Sequence, residues 1–174
     1  MVSDEALMLE FQRGSREAFD ELFVRYRQLL FGFFRRRLQL RERAEELTQE
    51  TFLAVIRAKS RYEVRASVRT YLYGIAMNLL ASERRKGLRA VPGAEEARGD
   101  GVDETLWVRE ALEKLDAADR EILMLREYEQ LSYLEIAELS GIPVNTVRSR
   151  LFRARMELRG HLDPAGKLES VKCK

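Results

Sequence analysis

The sequence predicts an all-α protein with two small helical domains joined by a flexible linker, the second domain containing a helix-turn-helix. Apolar residues recur every three or four positions along most of the 174-residue chain, and no segment shows the strict alternation typical of a β-strand. Residues 87–105 interrupt this pattern with Gly, Pro, Ala and acidic residues, which is the composition of a linker. We therefore expect domains over 1–86 and 106–160 and an irregular tail over 161–174.

Four helices are predicted in the first domain. The spacing of apolar residues places them over 3–13, 17–38, 41–58 and 68–85, with a break at Gly14 and Ser15 between the first two. The stretch 59–67 lacks periodicity and is predicted to be a loop. Its Arg61, Tyr62 and Arg65 could meet either nucleic acid or solvent.

Two polar faces stand out on the predicted helices of the first domain. The third helix carries an acidic surface at Glu46, Gln49 and Glu50. The fourth helix aligns four residues on one side, because helical positions seven, eleven and fourteen apart share a face: Tyr71, Asn78, Ser82 and Arg85. An aromatic ring, an amide and a guanidinium on one face can stack on a base, read a base edge and hold a phosphate.

The second domain is predicted to open with an amphipathic helix whose apolar positions are Trp107, Val108, Ala111, Leu112 and Leu115. Asp116 then caps a further helix. The segment 131–155 contains two short helices around a tight break. Ser132 and Glu135 form a capping box, and Gly141 and Pro143 separate the helices.

This helix pair has the pattern of a DNA-binding helix-turn-helix. The first helix is expected to bury Leu134, Ile136, Ala137 and Leu139, and the second Val144, Val147, Leu151, Ala154 and Leu158. The remaining sides of the second helix carry a polar and basic set: Asn145, Arg148, Ser149, Phe152 and Arg153. The alternative interpretation is an ordinary helical hairpin with a solvated arginine-rich face.

Composition narrows the function classes. The net charge is only +2, so the distribution of charge matters more than its sum. One cysteine, Cys173, and one histidine, His161, provide neither an intrachain disulfide nor a Cys/His metal site. We expect no catalytic residues, no metal and no cofactor. Without a signal peptide or a bilayer-length apolar run, we expect no membrane insertion and a cytoplasmic location.

Three motifs together resemble the extracytoplasmic-function (ECF) group of bacterial sigma factors, the two-domain members of the sigma-70 family. ELTQETF at 46–52 resembles the family's polymerase-binding signature, RTYLYGIAMNLLASERRK at 69–86 its minus-10 helix, and LSYLEIAELSGIPVNTVRSRLFRAR at 131–155 its minus-35 motif. The resemblance covers about residues 18–158. It implies a factor that binds core RNA polymerase, reads promoter DNA and is held inactive by an anti-sigma factor.

The resemblance also implies residue roles. The residues expected to bind the β′ clamp helices of the polymerase are Glu46, Gln49, Glu50 and Phe52. The β flap of the polymerase is a further expected contact of the protein. The melted minus-10 element falls to Tyr71, Asn78, Ser82 and Arg85. The base-reading contacts to the duplex minus-35 element are implied for Asn145, Thr146, Arg148, Ser149, Phe152 and Arg153. For the same element we expect phosphate contacts from Arg126, Arg150 and Arg155.

Two other classes of protein compete with this interpretation. A dimeric helix-turn-helix repressor or activator would need a dimerisation surface and would leave the acidic 46–52 motif unexplained. A nuclease or recombinase would need clustered carboxylates or a nucleophile–base pair, neither of which the sequence offers.

Overall fold

The computed structural model describes residues 2–38, 40–87 and 106–162, and within these ranges its regular structure is entirely helical. The chain divides into two compact units, Met1–Gly99 and Asp100–Lys174. The predicted all-α, two-domain organisation is therefore confirmed. The linker lies outside the described residues apart from Gly87, which ends a helix, and so does the tail from residue 163 onward, including Cys173.

The first unit contains four α-helices and one short 3₁₀ turn among its described residues. They are α1 (Asp4–Gln12), α2 (Arg16–Arg35), α3 (Arg41–Ala58), the 3₁₀ turn Lys59–Arg61, and α4 (Val68–Gly87). Serine side chains begin the first two helices: Ser3 Oγ accepts from the Ala6 amide and Ser15 Oγ accepts from the Ala18 amide, both at 3.2 Å. The α3 bounds match those predicted from the sequence.

The core of this unit lies where α2 and α3 pack together and α4 packs against α3, with α1 lying on α2 and α4. Leu30, Phe33 and Phe34 of α2 are fully buried there. Tyr73 of α4 is also fully buried, and its ring centroid lies 5.5 Å from that of Phe33. Tyr73 therefore belongs to the apolar side of α4 although its side chain carries a hydroxyl.

The second unit contains α5 (Leu106–Glu113), α6 (Ala117–Glu127), α7 (Tyr133–Ser140) and α8 (Val144–Leu162) in its described part. Helix α8 is the central element, because α5, α6 and α7 all pack against it. Val147, Leu151 and Ala154 form its buried side. The predicted cap is confirmed, since Asp116 accepts hydrogen bonds from the amides of Ala118 and Asp119.

Two apolar residues assigned to the core of this unit are exposed. Leu134 is 72% exposed because it lies two positions before the buried Ile136, which places it on the opposite side of α7. Trp107 is 53% exposed. It belongs to the first turn of α5, where side chains tilt toward the helix N-terminus and so project past the packed surface. Helix α8 also continues to Leu162, two residues into the predicted tail.

Candidate nucleic-acid interface

The break between α7 and α8 is built by local sequence. Ser132 Oγ accepts from the Glu135 amide at 3.2 Å, while a Glu135 carboxylate oxygen accepts from the Ser132 amide at 2.8 Å, which completes the predicted capping box. Gly141 adopts the left-handed conformation with φ of 64°. The amide of Ile142 then bonds to the Ala137 carbonyl. These contacts set the point at which α8 begins.

One side of α8 is exposed along its first three turns. Asn145, Arg148, Ser149 and Phe152 are separated from one another by three- and four-residue helical spacings (145/148, 145/149, 148/152 and 149/152), and all four are exposed. Ser149 Oγ donates to the Asn145 carbonyl at 3.0 Å, and an Arg148 nitrogen lies 3.5 Å from Asn145 Oδ1. Phe152 is 69% exposed, although phenylalanine is among the residue types most often fully buried. Thr146 is half-buried beside this face.

Arg153 lies elsewhere on the helix and is held by an acid. Its Nε and Nη2 donate to the two carboxylate oxygens of Asp119 at 2.6 and 3.0 Å. Asp119 belongs to α6 and is only 1% exposed, and Arg150 approaches the same carboxylate at 3.7 Å. The pair raises the pKa of Arg153, first through these hydrogen bonds. Arg153 therefore ties α8 to α6.

Arg126 and Arg155 are also engaged within the second unit. Arg126 donates to the Leu131 carbonyl at 2.9 Å, and its guanidinium carbon lies 5.3 Å from the Tyr133 ring centroid. Arg155 donates to Glu127 at 2.7 Å, and this hydrogen bond raises its pKa. Both arginines, which the sequence predicts to contact DNA phosphates, thus make hydrogen bonds within the protein.

The candidate face on α4 is only partly open. Asn78 and Arg85 are exposed, Ser82 is half-buried, and Tyr71 is half-buried at the start of the helix. The Tyr71 ring meets the Tyr62 ring edge-to-face, with centroids 5.2 Å apart. Burial raises the pKa of Tyr71, and its hydroxyl has no hydrogen-bond partner within the described residues.

The segment 59–67 is more ordered than the predicted loop. Lys59–Arg61 form the 3₁₀ turn, and Tyr62 is buried with its hydroxyl donating to the Ala66 carbonyl at 2.9 Å. Tyr62 is therefore not available to nucleic acid, whereas Arg61 and Arg65 remain exposed. Gln12 of α1, which donates to the Tyr62 carbonyl, lies 50 residues earlier in the chain, so the local pattern could not reveal this contact.

The acidic surface of α3 surrounds a single arginine. Arg43 donates to Glu46 at 2.5 Å and to Glu50 at 3.1 Å through Nη1, and to both oxygens of Glu83 on α4 at 2.7 and 2.8 Å. These bonds raise the pKa of Arg43 and lower that of Glu83. Gln49 is exposed next to them.

Phe52 lies under this surface and not on it. It is 5% exposed, and its ring centroid lies 4.7 Å from Phe23 and 6.2 Å from Phe19. The neighbouring Leu53 is 48% exposed and Ile56 is 42% exposed. With Gln49 they follow a four- and three-residue spacing along one face of α3. Sequence reasoning missed Leu53, although this spacing beside Gln49 was the signal that could have found it.

Other kinds of site were sought across the same ranges. No group of three or more acidic, Cys or His side chains within the described residues could hold a metal ion. None of the helices in that part of the chain is long and apolar enough to cross a membrane.

Comparison with known proteins identifies both units. The family profile "Sigma-70 region 2" matches residues 22–90, and "Sigma-70, region 4" matches residues 105–158. The chain is 32% identical to RNA polymerase sigma-H factor of Pseudomonas aeruginosa over 184 residues, covering 92% of this chain and 94% of the relative. It is 34% identical to ECF RNA polymerase sigma factor SigC of Mycobacterium tuberculosis over 171 residues, covering 91% of each.

Solved structures agree with this assignment. CnrH, solved in complex with the cytosolic domain of CnrY, matches with a TM-score of 0.72 and 25% identity over 94% of this chain and 99% of that one. RpoE of Bartonella quintana, solved with the anti-sigma factor NepR, shares the fold with a TM-score of 0.68 and 24% identity, covering 84% of this chain and 98% of that one. The chain therefore belongs to the ECF group of the sigma-70 family of RNA polymerase sigma factors.

Proposed function

We propose that this sigma factor directs promoter-specific initiation by binding core RNA polymerase, reading a minus-35 element as duplex and a minus-10 element as melted DNA. The observation that carries the proposal is the exposed face of α8 at Asn145, Arg148, Ser149 and Phe152, on a helix whose start is set by a helix-turn-helix. In this role the chain is an initiation factor, and the polymerase performs the chemistry.

The minus-35 element would be read in the major groove by this α8 face. An arginine such as Arg148 can donate two hydrogen bonds to a guanine edge, and a phenylalanine such as Phe152 can contact a thymine methyl. Each good contact discriminates between bases by about 1–3 kcal/mol. Arg153, engaged with Asp119, would contribute mainly by holding α8 against α6, and Arg126 and Thr146 would flank the reading face.

The minus-10 element would be held as single strand along α4. Tyr71 offers an aromatic ring for base stacking, Asn78 an amide for a base edge, and Ser82 and Arg85 polar contacts further along the helix. Unstacking a base costs a few kcal/mol. Melting several base pairs therefore requires the polymerase, and core binding is an integral step of the mechanism.

Core binding would use the α3 surface. Glu46, Gln49 and Glu50 supply polar contacts to the β′ clamp helices, while the exposed Leu53 supplies the apolar contact. Phe52 would act from beneath, by supporting the backbone that carries these side chains. The second unit would meet the β flap.

A protein inhibitor is the third partner that we propose, after core polymerase and promoter DNA. CnrH, 25% identical to this chain, was solved in complex with the cytosolic domain of CnrY. This similarity supports regulation by an anti-sigma factor in the cytoplasm. A dimeric repressor, the alternative considered from the sequence, would have no affinity for core polymerase.

Run-off transcription with purified core polymerase on a promoter library tests the proposal. Transcripts that require the added protein are expected, and failure of the chain to bind core polymerase would refute the sigma-factor role. Arg148→Ala should impair promoters that depend on the minus-35 element while leaving core binding and thermal stability unchanged. Arg109→Ala, which removes an exposed arginine of α5 in the same unit, is the matched control and should leave transcription unchanged.

A further inference from the structure

Helix α1 precedes the part of the chain that matches the region 2 profile, which begins at residue 22. Its polar side chains reach the segment between α3 and α4, about fifty residues further along the chain. The sequence gives no local reason for this contact, since α1 alone reads as a short amphipathic helix.

Gln12 is the main link. Its Nε2 donates to the Lys59 carbonyl at 2.6 Å and to the Tyr62 carbonyl at 2.9 Å. Both N–H groups of one side-chain amide therefore donate to this segment, one to the first residue of the 3₁₀ turn and one to the residue that follows it. Lys59 adds a second contact, because its ammonium lies 5.2 Å from the Phe11 ring centroid.

Glu5 makes the second link, at the start of α4. Its carboxylate accepts from the amide of Val68, the first residue of α4, at 3.3 Å. An acidic group at this position satisfies an amide that has no partner within the helix and complements the helix dipole. Helix α1 thus holds both the turn before α4 and the first residue of α4 itself.

Tyr62 carries this restraint to the candidate DNA face. Gln12 donates to its backbone carbonyl, and its own hydroxyl donates to the Ala66 carbonyl. Its buried ring meets the Tyr71 ring edge-to-face, with the ring centroids 5.2 Å apart. Tyr71 is the aromatic residue of the α4 face. The order of contacts is therefore Gln12 to Tyr62 to Tyr71.

We infer that α1 is a positioning element for single-stranded DNA binding, in which Gln12, acting through Tyr62, holds the Tyr71 ring ready to stack on a base. This inference rests on the proposed binding of melted DNA by α4. A ring that is already ordered loses less conformational freedom when a base stacks on it, and this preorganisation strengthens binding.

The test uses the full chain assembled with core polymerase. Gln12→Met keeps an unbranched side chain of similar length but removes both donors. The matched control is Gln28→Met, at an exposed glutamine of α2. The probe is the single-stranded non-template oligonucleotide of a promoter selected by run-off transcription, carrying 2-aminopurine so that stacking is reported by its fluorescence.

Gln12→Met should weaken oligonucleotide binding by up to about five- to thirty-fold, the limit reached if the full free energy of two ordinary hydrogen bonds serves to order the Tyr71 ring. It should also reduce the stacking signal, whereas Gln28→Met and core binding should stay at wild-type levels. Tyr71→Ala should cause a loss of its own, and the double variant Gln12→Met/Tyr71→Ala should lose no more than Tyr71→Ala. Independent losses that multiply in the double variant would overturn the inference.

A second variant guards against simple misfolding. Tyr62→Leu keeps an apolar side chain in the buried site but removes the ring, and it should reproduce the loss and its dependence on Tyr71. If Tyr71→Ala and Asn78→Ala weaken binding but Gln12→Met and Tyr62→Leu do not, the positioning role of α1 is refuted while the single-strand face of α4 is retained. If Tyr71→Ala and Asn78→Ala also leave binding unchanged, the proposed single-strand face fails with it.

Discussion

The adjacent residues Phe52 and Leu53 should separate stability from polymerase binding. Phe52 is buried against two phenylalanine rings, whereas about half of the Leu53 side chain is exposed. Truncating a buried phenylalanine to alanine costs about 3–5 kcal/mol. A unit of this size has a total stability of about 4–13 kcal/mol, so Phe52→Ala should remove about a quarter or more of it.

The expected effect of Leu53→Ala is the opposite. An exposed aliphatic residue contributes within about 0.5 kcal/mol to folding. If its exposed half becomes buried against polymerase, roughly half of the 1.5–3 kcal/mol for a fully buried side chain is lost on truncation. This corresponds to a weakening of core binding by about five-fold. Phe52→Leu retains most of the volume and should cost only about 1 kcal/mol.

Two optical signals distinguish the units in the full chain. The single tryptophan, Trp107, belongs to α5 and reports on the second unit, while circular dichroism reports on both. In urea, Phe52→Ala should shift the dichroism transition of the first unit and leave the Trp107 fluorescence transition in place. The core role of Phe52 is refuted if Phe52→Ala unfolds like wild type yet loses polymerase affinity. The surface role of Leu53 is refuted if Leu53→Ala unfolds the first unit.

Two further substitutions test electrostatic and backbone features. Glu83→Gln should destabilise the first unit by about 1 kcal/mol at pH 7, a value discounted for solvent screening. Because Arg43 lowers the pKa of Glu83, this contribution is present above the ordinary carboxyl pKa of about 4.3 and is lost as pH falls through the lower folded value. The difference in stability between the two proteins, measured by urea titration, should therefore shrink as pH falls below about 4.3. A difference that stays constant as the pH falls below this value would exclude the ion pair as its source. Gly141→Ala should destabilise the second unit by about 1 kcal/mol in Trp107-monitored unfolding. The space for a Cβ is open, but φ of 64° is strained for alanine. Gly141→Asn should cost less, and an alanine variant as stable as wild type would show that the backbone at this position is not strained.

Local features of the chain could be predicted from sequence because their causes are local. The bounds of α3, the Ser132 capping box and the Gly141 turn all follow from residues within a few positions of one another. The exposed α8 face likewise follows from helical spacing once Val147 and Leu151 are assigned to the core.

Pairings over long sequence distances could not be predicted in this way. Asp119 and Arg153 are 34 residues apart, and nothing in either segment indicates that a buried carboxylate will face that arginine. The choice between Phe52 and Leu53 for the core depends on where α2 lies against α3. Gln12 and Tyr62 are 50 residues apart, and the periodicity of α1 does not indicate that this helix contacts the segment before α4.

The arginines of α8 offer DNA less free charge than their number suggests. Among the four arginines at 148–155, Arg153 and Arg150 face Asp119, and Arg155 donates to Glu127. Arg148 has only the neutral Asn145 amide as its contact in the described part of the chain. Salt dependence measures this directly, since the slope of log K against log salt is about −0.9 for each phosphate that a protein neutralises on duplex DNA.

A shallow slope of about −1 to −2 is therefore expected for binding of the full chain to minus-35 duplex, whereas four available arginines would give about −3.6. Glu127→Gln should release Arg155, steepen the slope by about one and strengthen binding to duplexes of any sequence. The assay is fluorescence anisotropy over a potassium chloride series. A wild-type slope near −4, or no change in Glu127→Gln, would show that the carboxylates do not withhold these arginines. With so little charge available, we expect the contacts of Arg148 and Phe152 to decide which duplex is chosen and the polymerase to supply most of the affinity.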